Sequence, residues 1–394
     1  MKKLLNSGLV ALLATTPFFV NAEGLERINI DPSFMFTEGS SAEIGFANIS
    51  PSFPAVKGTG SAFTFQSGLK VAPSFSALTG SVKTELGDNF DLGLFYTNQG
   101  NGVGIDYGTI GSEANVTIKA DLEIPTLAMI GKYQINEAMS VFVGAKQSTV
   151  KAGATLKLGS DTSAISGNGN PLPDVTSHWE LSKKSGIGAI YGAAYEIPDI
   201  ALKIEAVFQE EATTALEASS SLSPLLPTTA IAGANYTIPQ TMTLNFQSGI
   251  AEDTLLFGSV HQQNWDTAQI IIPGNPNGIN PVTFAPDTAV SPVGSSFSDK
   301  TAYSIGVGRK ISDDLSLSLS YSREDGSGPT TDDPFTLSDG SQGITIGARY
   351  SLDKMTISAG YNYTTAGDVR VIHEAAPGVP SGLTADYQDN TTSA

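Results

Sequence analysis

The residues that could carry chemistry are few. Histidine occurs three times, at His178, His261 and His373, and the spacing matches no metal-ligand pattern. Cysteine is absent, which excludes a disulfide framework, a thiolate metal site and a thiol nucleophile. There is no Gly-x-Ser-x-Gly elbow, no Walker A loop and no Gly-x-Gly-x-x-Gly turn. A Ser–His hydrolase would need a serine motif near a strand histidine. His261 is the only histidine inside a regular strand pattern, and no such motif accompanies it. The expectation is a protein that is not an enzyme and uses neither cofactor nor metal.

What the chain does show is alternation. Leu315, Leu317, Leu319 and Tyr321 interleave with Ser316, Ser318, Ser320 and Ser322. Met355, Ile357, Ala359, Tyr361 and Tyr363 interleave with Thr356, Ser358, Gly360 and Asn362. Strand side chains point to opposite faces with period two, so each stretch has one apolar and one small polar face. The same rhythm gives thirteen expected strands. They begin at Ser41–Ser50 and continue through irregular stretches, including Val116–Tyr133 broken by Pro125 and Ser140–Leu158. Pro51–Lys70, Glu217–Pro227 and Val371–Asp389 read as loops.

The connections sort into two kinds. Gly87–Asn89, Asn136-Glu137, Glu196–Asp199, Ala251–Asp253, Ser312–Asp314 and Ser351–Lys354 are short; those between them are long and rich in Gly, Pro, Ser and Asn. A soluble sandwich has no reason to sort its connections. A transmembrane antiparallel β-barrel does, with tight turns at one rim and long loops at the other. Tyr96, Tyr195, Trp265, Tyr303, Tyr321, Tyr350, Tyr361 and Tyr363 fall near strand ends, where an interfacial girdle belongs.

The N-terminus agrees. Lys2-Lys3 precede an apolar run from Leu4 to Val20, and Val20-Asn21-Ala22 supplies small residues for cleavage. Residues 1–22 read as a secretory signal peptide. No later stretch reaches the ~20 apolar residues of a membrane helix. The formal charge is −18, and −20 without Lys2 and Lys3, which argues against nucleic acid as a partner. Residues 41–394 read as one barrel domain, preceded by a short segment, 23–40. Thirteen is an odd count, whereas single-chain bacterial barrels have even ones. The expectation is that all or most of a fourteenth, closing strand is missing.

The stretches Pro239–Val260 with Trp265, Tyr303–Lys310, and Asp339-Gly340 with Ile344–Tyr350 and Asp353–Gly360 resemble the FadL/TodX family of outer-membrane hydrophobic-compound transporters. The likeness runs from about Leu25 to Asn390. It implies a fourteen-stranded barrel in the bacterial outer membrane, acting as a monomer among outer-membrane lipid and lipopolysaccharide. Its ligand would be a long-chain fatty acid or another apolar small molecule. It also implies that residues 23–40 are a hatch, with Arg27, Asp31, Pro32, Ser33 and Phe34 in it. Asp31-Pro32-Ser33 stands where the family carries Asn-Pro-Ala, and the segment is shorter than the family's plug. The resemblance implies a kinked third strand as a lateral gate, at Asn98, Gln99, Gly100, Asn101 and Gly102. By position in the fifth strand, it implies Lys151 as the partner of a ligand carboxylate, with Lys146 and Arg309 behind it. The family's terminal aromatic residue, part of the signal for the barrel assembly machinery, has no counterpart. The competing reading is a general diffusion porin or an adhesin-like barrel. A porin needs charge at a constriction, whereas the inward faces read as mostly Ser, Thr, Gly and Asn.

Overall fold

The computed structural model describes residues 29–59, 69–98, 103–110, 116–158, 175–223, 226–268, 271–272, 293–294, 297–331, 336–376, 379–388 and 390–393. The signal-peptide reading and Arg27 lie outside them.

The strands form one antiparallel ring. In chain order they are β1 (Ser41–Ser52), β2 (Phe75–Glu85), β3 in two segments (Phe90–Asn98 and Val103–Ile110), and β4 in two segments (Val116–Glu123 and Pro125–Gln134). Next come β5 (Met139–Leu158), β6 (Val175–Ile197), β7 (Leu202–Gln209 and Ala212–Ser223) and β8 (Leu226–Ile238 and Thr241–Ala251). The ring continues with β9 (Thr254–Gln263), β10 (Lys300–Lys310), β11 (Leu315–Glu324), β12 (Ser341–Leu352), β13 (Met355–Ala366) and β14 (Asn390–Ser393). Each strand pairs with its neighbours in sequence, and β14 lies between β13 and β1.

The faces are as the alternation requires. Leu317, Leu319, Ile344, Ile346, Ile357 and Tyr361 are exposed, while Ser316, Ser320, Asn362 and Thr364 are buried. The apolar side therefore faces outward all round, the arrangement of a barrel whose solvent is lipid. Seven of the eight expected girdle aromatics are exposed. Trp265 is the exception: it is 1% exposed and points into the lumen.

Three loop readings are corrected. Pro54–Thr59, Leu69–Lys70, Thr330–Thr331, Val369–Ala376 and Val379–Tyr387 form a second, five-stranded sheet on the long-loop side of β1 and β13. Val369 and Val371 are buried there, and Arg370 between them pairs bidentately with Asp386 at 2.6 and 3.0 Å. Pro380 and Gly382, which read as loop, lie within the strand Val379–Tyr387. Within Glu217–Pro227, β7 runs on to Ser223 and β8 starts at Leu226.

The strand count is corrected too. Four residues of β14 pair with Tyr363–Ala366 of β13, and three of them with Ser50–Ser52 of β1. A fourteenth strand therefore joins the ring at its long-loop end. Towards the short-turn rim, among the described residues, Ser41–Ile49 pairs with β2 alone and Met355–Asn362 with β12 alone. The inward-facing Glu43, Thr356 and Ser358 are exposed at that level.

Candidate functional site: a layered lumen

The lumen is filled in three tiers. The lowest, nearest the short turns, is formed by the segment before β1, the hatch of the sequence reading. A single 3-10 turn, Pro32–Phe36, is started by Asp31, whose carboxylate accepts the Ser33 N–H at 2.9 Å, and by Pro32 in its first turn. Phe34, Met35 and Phe36 are buried against Phe95, Ile130, Phe142, Ile190 and Val207 of the wall. Phe34 meets Phe95, and Phe36 meets Phe142, edge to face at 6.2 and 6.3 Å. The wall makes room with glycine: a Cβ on Gly93 would stand 2.3 Å from the Met35 sulfur.

Charged side chains grip the turn's free carbonyls. Lys132 Nζ donates to Met35 O at 2.7 Å, and Lys83 Nζ donates to Thr37 O. Asp91 balances both, at 2.7 Å from Lys132 and 3.9 Å from Lys83. On the opposite wall, Glu205 accepts from Ser33 Oγ at 2.6 Å and pairs with Lys203 at 3.4 Å. Lys203 and Lys132 also lie over the Phe36 ring, at 4.0 and 4.8 Å. Buried charges persist only when paired and hydrogen-bonded, and these are. The inward faces therefore carry charge in matched sets, beyond the Ser, Thr, Gly and Asn read from sequence.

The middle tier is polar. Lys146, fully buried, donates to Gln209 Oε1 at 3.3 Å, and Gln209 Nε2 donates to Ile30 O of the hatch at 3.1 Å. Thr126 donates to Ser148 at 2.8 Å. His261 hydrogen-bonds Thr243 at 2.7 Å and Asn29 at 3.3 Å, which ties the hatch to β8 and β9.

The outer tier is apolar. Leu122, Ile124, Val150, Tyr236, Ile238, Trp265 and Phe297 cluster with Ala212 and Ala268. Trp265 and Phe297 come from the two ends of the long β9–β10 connection and meet edge to face at 5.5 Å. Asp299 Oδ1, accepting the Asp266 N–H at 3.1 Å, holds those ends together.

Among the described residues the β3–β4 ladder is interrupted beside the junction of the middle and outer tiers. Asn98 pairs with Pro125, and the next pair among the described residues is Val103 with Leu122. The register between those two pairs therefore shifts by two residues. There the Ile124 N–H donates to a side chain, Asn98 Oδ1, at 2.9 Å. On its other edge β4 runs past β5 without a register shift, from Glu123 opposite Lys151 to Thr126 opposite Ser148. The β4–β5 ladder does not share the shift.

No family model matches the sequence, and no curated protein matches it. Solved structures do. A Pseudomonas aeruginosa FadL homologue superposes with a TM-score of 0.70 over 94% of this chain and 94% of its own, at 14% identity. The Pseudomonas putida toluene transporter TodX gives 0.58 over 95% and 94%, at 15% identity. The Ralstonia pickettii toluene transporter TbuX gives 0.53 over 100% and 98%, at 12% identity. The chain has the FadL fold.

Within that FadL fold the expected site residues scatter. Asp31, Pro32, Ser33 and Phe34 all lie in the lumen turn. Asn98 is at the wall interruption; Gln99, Gly100, Asn101 and Gly102 lie outside the described residues. Lys151 does not join the lumen: it is 55% exposed and pairs with Glu123, 46% exposed, at 3.3 Å. Val150 beside it is buried in the outer tier, so Lys151 points the other way. Arg309 is exposed on the outward face of β10. Lys146 is the lysine of that group inside the barrel. Lys83, Asp91, Lys132, Lys203 and Glu205 were not singled out from sequence.

Asp31 sets a pH dependence. Burial in the lumen, and next the Glu205 carboxylate, raise its pKa above the ordinary value, against the opposing Ser33 hydrogen bonds and Lys203. The folded state then holds the Asp31 proton more tightly than the unfolded chain. Its contribution to stability falls as pH rises from the usual carboxylate value through the raised one. Asp31→Asn keeps the cap oxygen and removes the charge. The variant should unfold at a higher temperature than wild type at neutral pH, and the gap should close in acid. Parallel melting curves across that range would show the mechanism to be wrong.

Proposed function

We propose that this chain is an outer-membrane channel for hydrophobic small molecules, which lodge in the outer apolar tier and leave sideways through the β3 interruption. The observation that carries this reading is the tiering. A ligand settling among Ile124, Val150, Tyr236 and Trp265 would find below it the polar Lys146–Gln209 layer and then the hatch. Beside it a side chain, Asn98, takes a backbone N–H of the neighbouring strand where the described β3–β4 ladder breaks. Apolar burial supplies about 0.8 kcal/mol per methylene, enough to draw a hydrocarbon chain out of a polar surface layer.

The neighbours support the ligand class, since two of the superposed structures are toluene transporters and the third is a FadL homologue. For a fatty acid, Lys146 is the suitable cation, because it stands directly beneath the apolar tier with Ser148 and Val150 on the same face of β5. Lys151, on the outer face, is not part of this proposal. A diffusion-porin reading is disfavoured by the filled lumen.

Two measurements test this. Nitroxides at Leu317 and Leu319 should be quenched by oxygen and shielded from aqueous reagents in proteoliposomes. Those vesicles should swell little in sugars yet take up labelled toluene or oleate faster than protein-free ones. Free sugar permeation with no hydrophobic uptake would replace the proposal with a porin.

A further inference from the structure

We propose that Lys151 and Lys183 form a docking site for a phosphate group of an outer-leaflet glycolipid, on the outside of the wall beside the β3 interruption. The inference rests on the outer-membrane reading above. Along β5 the outward residues run Val141, Val143, Ala145, Gln147, Thr149, Lys151. The apolar belt thus ends near Gln147, and Lys151 stands about 13 Å farther along the strand at ~3.3 Å per residue. On β6, Ile187 is 71% exposed opposite Gln147, and Ser185 follows opposite Thr149. Then the register shifts: Leu181 pairs with Ala152 but Lys184 with Val150. Ser182 and Lys183 together oppose Lys151, and Lys183 is exposed. A bulge of this kind re-aims side chains where the ladder is broken.

The result is two lysines on neighbouring strands at one height, above an apolar surface of Leu127, Met129, Val143 and Ile187. Acyl chains lying on that surface would bring their headgroup to the lysine level. Other charges face the patch. On β4, Lys119 and Asp121 are exposed farther out and Glu123 pairs with Lys151. Glu210, between the two segments of β7, is exposed, with Oε2 accepting the Ala189 N–H at 3.4 Å. Glu123 orients Lys151 and takes part of its charge, so Lys183 is needed to complete the anion site. A phosphate monoester, carrying more than one negative charge and several acceptor oxygens, fits two ammonium groups.

The test uses the full chain in detergent micelles, titrated with lipopolysaccharide and with the same material after phosphatase treatment. Wild type should bind the phosphorylated form at least tenfold tighter. Lys151→Gln with Lys183→Gln should remove that preference, the Lys→Arg pair should keep it, and Glu123→Gln should strengthen it. Equal binding of the two glycolipids by wild type, or a preference surviving in the double Gln variant, overturns the site. So does full competition by millimolar inorganic phosphate, which would make it an anion site without lipid recognition. Insertion into liposomes is scored separately. A chain that inserts but shows no phosphate preference refutes the docking site alone, and one that does not insert refutes the membrane reading with it.

Discussion

Deleting Gly100 and Asn101 should cut hydrophobic uptake at least tenfold while leaving the barrel folded. The reason is register. Asn98 faces Pro125 and Val103 faces Leu122, so the register shifts by two residues between those pairs. The shift is even. Removing two residues would join both segments of β3 into one ladder without moving any side chain to the other face, which a deletion of one would do. The Ile124 N–H could then find a backbone acceptor in place of Asn98 Oδ1, 2.9 Å away. Because Trp265 lies in the outer tier, quenching of its fluorescence by a hydrophobic ligand should persist while delivery into the bilayer stops. Asn98→Ala acts oppositely. It leaves the N–H unsatisfied at a cost of about 1–3 kcal/mol and should loosen the wall. Uptake at the wild-type rate in a folded deletion variant would move the exit elsewhere.

The wall was the legible part of this molecule, because a two-sided strand writes its environment into every second residue. Leu315–Ser322 needed no partner to show which face was which. The lumen was less legible, because parity says that a residue points inward but not what it meets. Lys83, Asp91, Lys132, Lys203 and Glu205 all alternate against the apolar residues of their strands, so their inward direction could be read. Their convergence on one turn could not, since it brings β7 across the lumen to face three successive strands, β2 to β4. Lys151 is the opposite case. It shares parity with Val141 and Val143, the outward face of its own strand, and Lys146 does not. Family likeness pointed to Lys151, and alternation alone would have chosen Lys146. The rim hairpin was missed because Pro380 and Gly382, both poor strand formers, sit inside one of its strands.

Replacing Phe34-Met35-Phe36 by Ser-Gly-Ser should open the lumen, with sugar-driven swelling of proteoliposomes rising at least tenfold. These side chains fill the space between walls that carry Phe95, Ile130, Phe142, Ile190 and Val207. Truncating one large buried apolar side chain costs about 2–5 kcal/mol, and the three share a single cluster, so their costs will not simply add. The turn would lose its apolar anchor and keep only its polar grips: Lys132 on Met35 O, Lys83 on Thr37 O and Ser33 on Glu205. The ring itself would survive, because its ladder runs between neighbouring strands and does not pass through the hatch. The heat-shifted folded band should therefore remain on a gel while the melting temperature drops. A second variant approaches the same point from the wall. Gly93→Val puts a Cβ 2.3 Å from the Met35 sulfur and 2.8 Å from Phe95 Cε2, so the turn must move although its own residues are unchanged. It should leak sugars to a smaller extent. If both variants keep a folded ring and neither leaks, the barrier to polar solutes is the Lys146–Gln209 tier above the hatch, and the turn serves only to brace the wall.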